Sequence, residues 1–135
     1  MKKMLRTATW MVVCLCLIFL ASCEQDDDIL FDYLVSYEWG GDLGFADAFD
    51  RPLESGLNFD GNGFGVDAQC YPGDYVHVAF ELPFRWMIYD GTLTLDYGND
   101  YPQLEICNIH ISVDRMDGEL YVDGEWDGPV TLFSY

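Results

Sequence analysis

The chain has 135 residues, half of them hydrophobic and 16% aromatic, and its formal net charge is −18. The hydrophobic content excludes a disordered chain, and the length fits one small domain. The strong negative charge excludes nucleic-acid binding, because proteins that bind phosphates need clustered Lys and Arg. A cationic or neutral partner remains compatible with this composition.

The N-terminal segment has the pattern of a secretory signal. Three basic residues fall within the first six positions, and an apolar run extends from Trp10 to Ala21. A bilayer-spanning helix needs about 20 apolar residues, so the run fits a signal peptide better than a membrane span. We therefore expect residues 1–22 to be removed.

The motif Leu20-Ala21-Ser22-Cys23 resembles the lipobox of bacterial lipoproteins. Small residues let the chain enter the peptidase, and the thiol of Cys23 can carry a diacylglycerol. Two or more acyl chains anchor a protein stably, whereas one does so only marginally. The motif predicts a membrane anchor through lipid on Cys23. The alternative is an ordinary signal peptide, or a transmembrane anchor, with an incidental cysteine.

Residues 23–28 are predicted to form a lipidated cysteine followed by a solvated acidic tether. The run Glu24-Gln25-Asp26-Asp27-Asp28 is repelled by an anionic membrane surface. It also resembles the acidic export tag of Bacteroidetes surface lipoproteins, which implies the outer membrane with the domain facing the exterior. After cleavage, three arginines stand against all 24 acidic residues, a charge of about −21.

Residues 29–135 are predicted to form a single β domain after one short helix. Asp28 can cap a helix, and Leu30, Leu34 and Tyr37 recur at helical spacing; a first strand is the competing interpretation. Beyond the helix, Asp and Asn beside Gly mark tight turns, since these residues adopt left-handed backbone. The turns are expected at Asp60-Gly61-Asn62-Gly63, Asp90-Gly91, Gly98-Asn99-Asp100, Asp117-Gly118, Asp123-Gly124 and Asp127-Gly128.

Between these turns, apolar and polar residues alternate with a period of two, notably over 76–82 and 84–97. This is typical of antiparallel sheet with one buried face. Leu57 and Phe59 are expected to face inward with Phe64 and Val66 across the first turn. The turn count predicts an all-β antiparallel meander of about eight short strands, closed as a barrel or folded as a sandwich.

One strand changes phase. Leu104 and Ile106 set one face, whereas Ile109 and Ile111 have the opposite parity. A slip of one residue turns every side chain to the other face, so we expect a β-bulge near Cys107-Asn108.

The order of motifs resembles that of the small lipocalin-like lipoproteins of Bacteroidetes. Trp39-Gly40 lies near the start, a Leu-x-Phe-x-x-x-Gly hairpin follows at 57–63, and a long hairpin unit spans Phe84–Tyr97. The resemblance covers residues 28–135 and implies an up-and-down barrel of about eight strands, filled by side chains or holding one small ligand. It implies no catalytic or ligand residues.

Motifs for metal binding or catalysis are weak. His77 and His110 are the only histidines, and no close-spaced cysteine pair accompanies them. The segment that begins at Asp60 starts like a calcium loop but has Tyr71 where the twelfth-position Glu belongs. No Gly-x-Ser-x-Gly motif is present. We predict no metal, no cofactor and no enzymatic activity.

Cys70 and Cys107 remain in the exported domain, where disulfides can form. A disulfide between them and two separate thiols are both compatible with the sequence, because pairing geometry cannot be read from it.

Trp39, Trp86 and Trp126 are the candidate ligand-facing aromatics, with a filled core as the alternative. Trp86 shares the face of Phe84 and Ile88, which favours the core; Trp126 lies between two Asp-Gly steps and should be the most exposed. The sequence predicts a tethered, non-enzymatic barrel that binds a small apolar molecule, a glycan or a protein. The alternative is an accessory subunit of a cell-envelope assembly without a small ligand.

Overall fold

The computed structural model describes residues 26–135, which form one helix and a closed antiparallel β-barrel. The eight strands follow chain order around the barrel, and the first pairs with the last. The predicted all-β meander with one N-terminal helix is confirmed, and closure is that of a barrel. The elements are α1 (Asp27–Ser36), β1 (Trp39–Gly41), β2 (Ser55–Phe59), β3 (Phe64–Gln69), β4 (Phe80–Tyr89), β5 (Thr92–Asp96), β6 (Leu104–Ile111), β7 (Arg115–Val122) and β8 (Glu125–Ser134).

The predicted signal peptide and Cys23 lie outside the described residues. Within residues 26–135, no helix has the length and apolar content to cross a bilayer.

The helix α1 begins earlier than the sequence suggests. Asp26 caps it, since its side chain accepts a hydrogen bond from Asp28 N at 3.0 Å. Two further carboxylates in the first turn interact favourably with the positive end of the helix dipole. The end of the segment assigned to the tether is therefore helical. Leu30 and Leu34 are buried, as the helical spacing predicts.

One end of the barrel, the helix end, carries α1 together with the β2–β3, β4–β5 and β6–β7 hairpins. The Asp27 carboxylate accepts hydrogen bonds from Asp90 N at 3.0 Å and Gly91 N at 2.8 Å. Both donors are in the β4–β5 turn, where left-handed backbone is adopted by Asp and Gly as expected. These bonds join the start of the helix to the sheet.

The opposite end, the loop end, consists of the long connections 42–54, 70–79 and 97–103 and the short β7–β8 turn at 123–124. In an up-and-down barrel, alternate connections lie at the same end. The chain preceding α1 therefore attaches at the helix end, on the other side of the barrel from these loops.

The barrel interior is filled by side chains. An eight-stranded barrel is just wide enough for inward-pointing residues to meet at its axis. The buried large apolar residues come from every strand except β3 and form one hydrophobic cluster with α1. They include Leu30, Leu34, Trp39, Leu57, Phe84, Trp86, Leu93, Leu95, Ile106, Met116 and Leu132.

The predicted bulge in β6 is confirmed. The register with β7 shifts between Cys107 and His110, and Asn108 adopts a φ of 51°. The extra residue restores the inward direction, so Ile106 and Ile109 are both buried despite their opposite parity.

Two predicted turns are wrong. Asp117-Gly118 lies inside β7, and Asp127-Gly128 lies inside β8, where the register with β7 shifts. A side chain on Gly118 would approach Ile106 Cγ2 to 2.6 Å and Cys107 O to 2.9 Å. This glycine therefore provides space for a neighbouring strand instead of turning the chain.

The inward face predicted for β3 is also wrong. Leu57 pairs with Asp67 and Phe59 with Gly65, so these two β3 residues face inward. Phe64 and Val66 lie on the outer wall, where both are exposed. The Phe84 ring occupies the space that a side chain on Gly65 would need.

Candidate functional site

The three tryptophans do not converge on one ligand site. Trp39 is fully buried, and Trp86 is nearly so, with Nε1 donating to Asp60 O and Phe64 O at 3.0 Å each. Both belong to the core. Trp126 is 62% exposed near the loop end, and its Nε1 donates to Glu119 Oε2 at 2.7 Å.

A polar cluster lies inside the barrel beneath the loop end. Asp67 is fully buried, and its Oδ2 accepts hydrogen bonds from Ser55 Oγ at 2.9 Å, Tyr97 Oη at 2.9 Å and Gln69 Nε2 at 3.3 Å. Asp67 Oδ1 has no hydrogen-bond partner among the described residues. Burial raises the pKa of the Asp67 carboxyl, although the three donors act in the opposite direction.

The sequence pattern does not reveal this cluster, because placing Phe64 and Val66 inward turns Asp67 towards solvent. The register between β2 and β3 would have revealed it. Leu57 and Phe59 face inward and pair with Asp67 and Gly65, so alternate β3 residues, Gly65, Asp67 and Gln69, must face inward too. Asp67 is fully buried and lines none of the three surface grooves described below, although its donor Ser55 lines the first of them.

The first groove, here called the tyrosine groove, lies on the outer wall of β2 and β3 and has a volume of about 240 Å³. Its floor is made of small residues, Gly56 and Ala68, and a side chain on Gly56 would begin 3.1 Å from Ala68 O. Two aromatic rings and two carboxylates stand around this floor. The residues of the rim are Glu38, Glu54, Cys70, Tyr75, Val78 and Tyr135.

The tyrosine groove is assembled from distant parts of the chain. Tyr135 N donates to Glu38 O at 2.9 Å, and the Tyr135 ring lies over Gly40, where any side chain would collide with it. On the other side, the Tyr75 hydroxyl hydrogen-bonds with Glu54, and this bond raises the pKa of Tyr75. The glycines of β1 and β2 are thus what makes the wall concave at this point.

Two larger grooves, of about 500 and 510 Å³, flank Arg85 on the outer wall of β3–β5. The Arg85 guanidinium lies 5.3 Å from the centre of the Phe64 ring. Among the described residues, Arg51 and Arg115 form salt bridges with Asp47 and Asp117, whereas no carboxylate lies within 4.0 Å of Arg85.

Exposed apolar side chains are concentrated in the segment 75–80 at the loop end. The sequence predicts a strand from residue 76, but β4 begins only at Phe80, so residues 75–78 are not part of the sheet. The four large apolar residues of this segment are 47–87% exposed. They are Tyr75, Val76, Val78 and Phe80.

The neighbouring connection 42–54 is ordered around Asp47. Its carboxylate accepts hydrogen bonds from Phe49 N at 2.9 Å, Arg51 N at 3.0 Å and the Tyr71 hydroxyl at 2.8 Å. Desolvation acts to raise the pKa of Asp47, but these donors and the Arg51 side chain outweigh it and lower the pKa to about 2. Asp47 thereby links two of the three long loops.

Both described cysteines are free thiols, so the disulfide that the sequence allowed is not formed. Cys70 follows β3 and is buried at the rim of the tyrosine groove, where burial raises the pKa of its thiol. Cys107 is on β6, separated from β3 by the two strands β4 and β5, and its Sγ accepts a hydrogen bond from Thr92 Oγ1 at 3.7 Å.

Within residues 26–135, no three His, Cys, Asp or Glu side chains are grouped as a metal site requires. Comparison with protein-family models, with curated proteins and with solved structures yields no match to this chain.

Proposed function

We propose that this protein is a lipid-anchored, non-enzymatic recognition domain on the outer surface of a bacterial cell. In this proposal the domain binds a protein partner through its loop end and the adjoining outer wall. The observation that carries the proposal is the exposed apolar segment 75–80. Exposed apolar patches on soluble domains mark interaction sites, because leaving them in water is unfavourable.

The filled interior argues against a small ligand bound inside the barrel. Side chains from seven strands meet in the core, and α1 covers the helix end. The one strand that contributes no large apolar residue there, β3, supplies Asp67 instead. A ligand would have to displace packed core residues, which costs several kcal/mol per large side chain removed from its contacts.

The length of chain before the helix supports the proposed orientation. Asp27 is four positions after Cys23 in the chain, and four extended residues span at most about 14 Å. A lipid on Cys23 would therefore hold the helix end close to the membrane and leave the loop end directed outward. Exposed carboxylates on Asp28, Asp32 and Asp60 would keep the helix end off an anionic surface.

The anchor is tested with Cys23→Ser. The proposal expects the wild-type protein in the membrane fraction, with an acylated N-terminal residue visible by mass spectrometry, and the variant released. Protease added to intact cells should degrade the domain. Protection of the domain until the outer membrane is breached would contradict the surface location.

The binding surface is tested by placing a photoreactive amino acid at Val76 or, as the control, at Met87. Met87 is also apolar and 57% exposed, but it lies on the outer wall of β4. The proposal expects one defined cross-linked species from position 76 and none from position 87. Equal products at both positions, or none at either, would contradict it. A stoichiometric product with one envelope protein is the outcome expected of the alternative role as an accessory subunit.

A further inference from the structure

We propose that the tyrosine groove receives an arginine side chain of the partner protein. The inference rests on the proposed function for the source of the arginine, but the chemistry of the groove stands by itself. Four properties of the groove bear on the identity of its occupant: its volume, its charge, its aromatic rings and its floor.

The volume indicates a side chain as the occupant. Small-molecule sites usually enclose about 300–1,000 Å³. The groove encloses about 240 Å³ and lies on an open sheet face. One long side chain from a docked surface fits that space, whereas a complete drug-sized ligand would remain largely in solvent.

The charge indicates a cation. Glu38 and Glu54 both line the groove, and Glu38 Oε1 lies 3.7 Å from where a Gly56 side chain would begin. Within the described chain, no Arg or His lies within salt-bridge distance of either carboxylate. A cation supplied by a partner would meet both, in a protein whose own surface is strongly acidic.

The aromatic rings select arginine over lysine. The guanidinium is planar, stacks on tyrosine faces and presents several donors that can reach two carboxylates. A lysine ammonium is compact and more strongly hydrated. The walls formed by Ala68, Cys70 and Val78 would contact the methylene stem of the arginine. Tyr75 belongs both to this groove and to the exposed segment 75–80, so a partner on that segment is positioned to insert a side chain here.

The test uses protein purified from cells that express the full chain, titrated at low salt with the peptide acetyl-Gly-Arg-Gly-amide. The matched ligand replaces arginine with citrulline, which keeps the shape and removes the charge. NMR chemical shifts are expected to change at Gly56, Ala68 and Cys70 with the arginine peptide and not with the citrulline peptide.

Variants locate the site. Glu38→Gln combined with Glu54→Gln should weaken binding at least about tenfold, and Ala68→Leu should abolish it by filling the floor. Glu105→Gln, which removes a carboxylate from the outer wall of β6, should leave binding unchanged. Unfolding midpoints of all variants show whether the barrel remains intact.

Equal shifts with both peptides would overturn the assignment. So would shifts spread over the whole acidic surface, with Glu105→Gln weakening binding as much as the Glu38 and Glu54 substitutions do. This outcome is independent of the cross-linking at Val76. Arginine binding without a cross-link would support the groove as an arginine site and refute the protein partner. A cross-link at position 76 without arginine binding would refute the arginine site and leave the protein partner supported.

Discussion

The hydroxyl of Tyr97, just after β5, donates a hydrogen bond to Asp67 Oδ2 on β3 at 2.9 Å, inside the barrel and past the intervening strand β4. It is one of three donors to a carboxylate that is fully buried among apolar side chains. Burial of Tyr97 and the adjacent charge of Asp67 both raise the pKa of this phenol, so it remains a donor. The pair thus joins two strands through the only polar region of the core described above.

Asp67→Asn is expected to change the pH dependence of stability. In the folded protein the pKa of Asp67 is raised above its ordinary value of 3.8, so its contribution to stability is fully present below that value and is lost as the pH rises through the folded pKa. Asn stays neutral and retains an acceptor for Ser55 and Tyr97. The free energy of unfolding of the variant, relative to wild type, should therefore increase with pH.

Urea unfolding of both proteins between pH 4 and pH 8 measures this difference. Both proteins share the repulsion among the many surface carboxylates, so its effect on the free energy of unfolding cancels in the difference between them. A difference that stays constant across the range would show that Asp67 titrates as it does in the unfolded chain.

Gly118→Ala is expected to destabilise the barrel by about 1–3 kcal/mol. The new Cβ would approach Ile106 Cγ2 to 2.6 Å and the Cys107 carbonyl oxygen to 2.9 Å, and the backbone atom cannot move without disturbing β6. Gly61→Ala is the matched control, because its Cβ would meet only the Phe31 ring, at 3.8 Å. Chemical denaturation compares the two, and equal midpoints would contradict the close approach of the strands.

Asp27→Ala is expected to loosen α1 from the barrel and to lower the free energy of unfolding by about 1–2 kcal/mol. The substitution leaves the amide N–H groups of Asp90 and Gly91 without their acceptor. Asp28→Ala removes an equally charged residue from the same helical turn, so helix-dipole effects are matched.

Hydrogen exchange at the amides of residues 90 and 91 provides the more specific measurement for Asp27. Exchange should accelerate in the Asp27 variant and remain slow in the Asp28 variant. Similar acceleration in both would attribute the effect to helix charge instead of the two hydrogen bonds.

Asp47 is expected to titrate with a pKa of about 2, measured from its carboxyl ¹³C shift. Because the folded pKa is depressed, the contribution of Asp47 to stability is present above its unfolded value and is lost as the pH falls through about 2. Tyr71→Phe removes one donor and should raise the midpoint towards 3.8. A wild-type midpoint near 3.8 would contradict the hydrogen-bond arrangement of this loop.

Features that depend on residues close together in the sequence could be predicted from it. The Asp90-Gly91 and Asp123-Gly124 turns form where the backbone preference of these pairs requires them, since both residues of each pair have positive φ. The helical spacing of Leu30 and Leu34 predicts their burial. The phase change before Ile109 predicts the β6 bulge, because an alternating pattern can be restored only by an extra residue.

Only the tertiary structure decided which face of β3 points inward and where a partner could bind. The local pattern favours Phe64 and Val66 inside, but the register with β2 and the volume of Phe84 place Gly65 and Asp67 there. The tyrosine groove likewise combines Glu38, Tyr75 and Tyr135, which come together only when β1 pairs with β8 on one side and with β2 on the other. The sequence by itself determined most of the turns and strands and the acidic surface, because these follow from local backbone preference and composition. Register, closure and the groove depend on contacts between residues far apart in the chain, which no local pattern encodes.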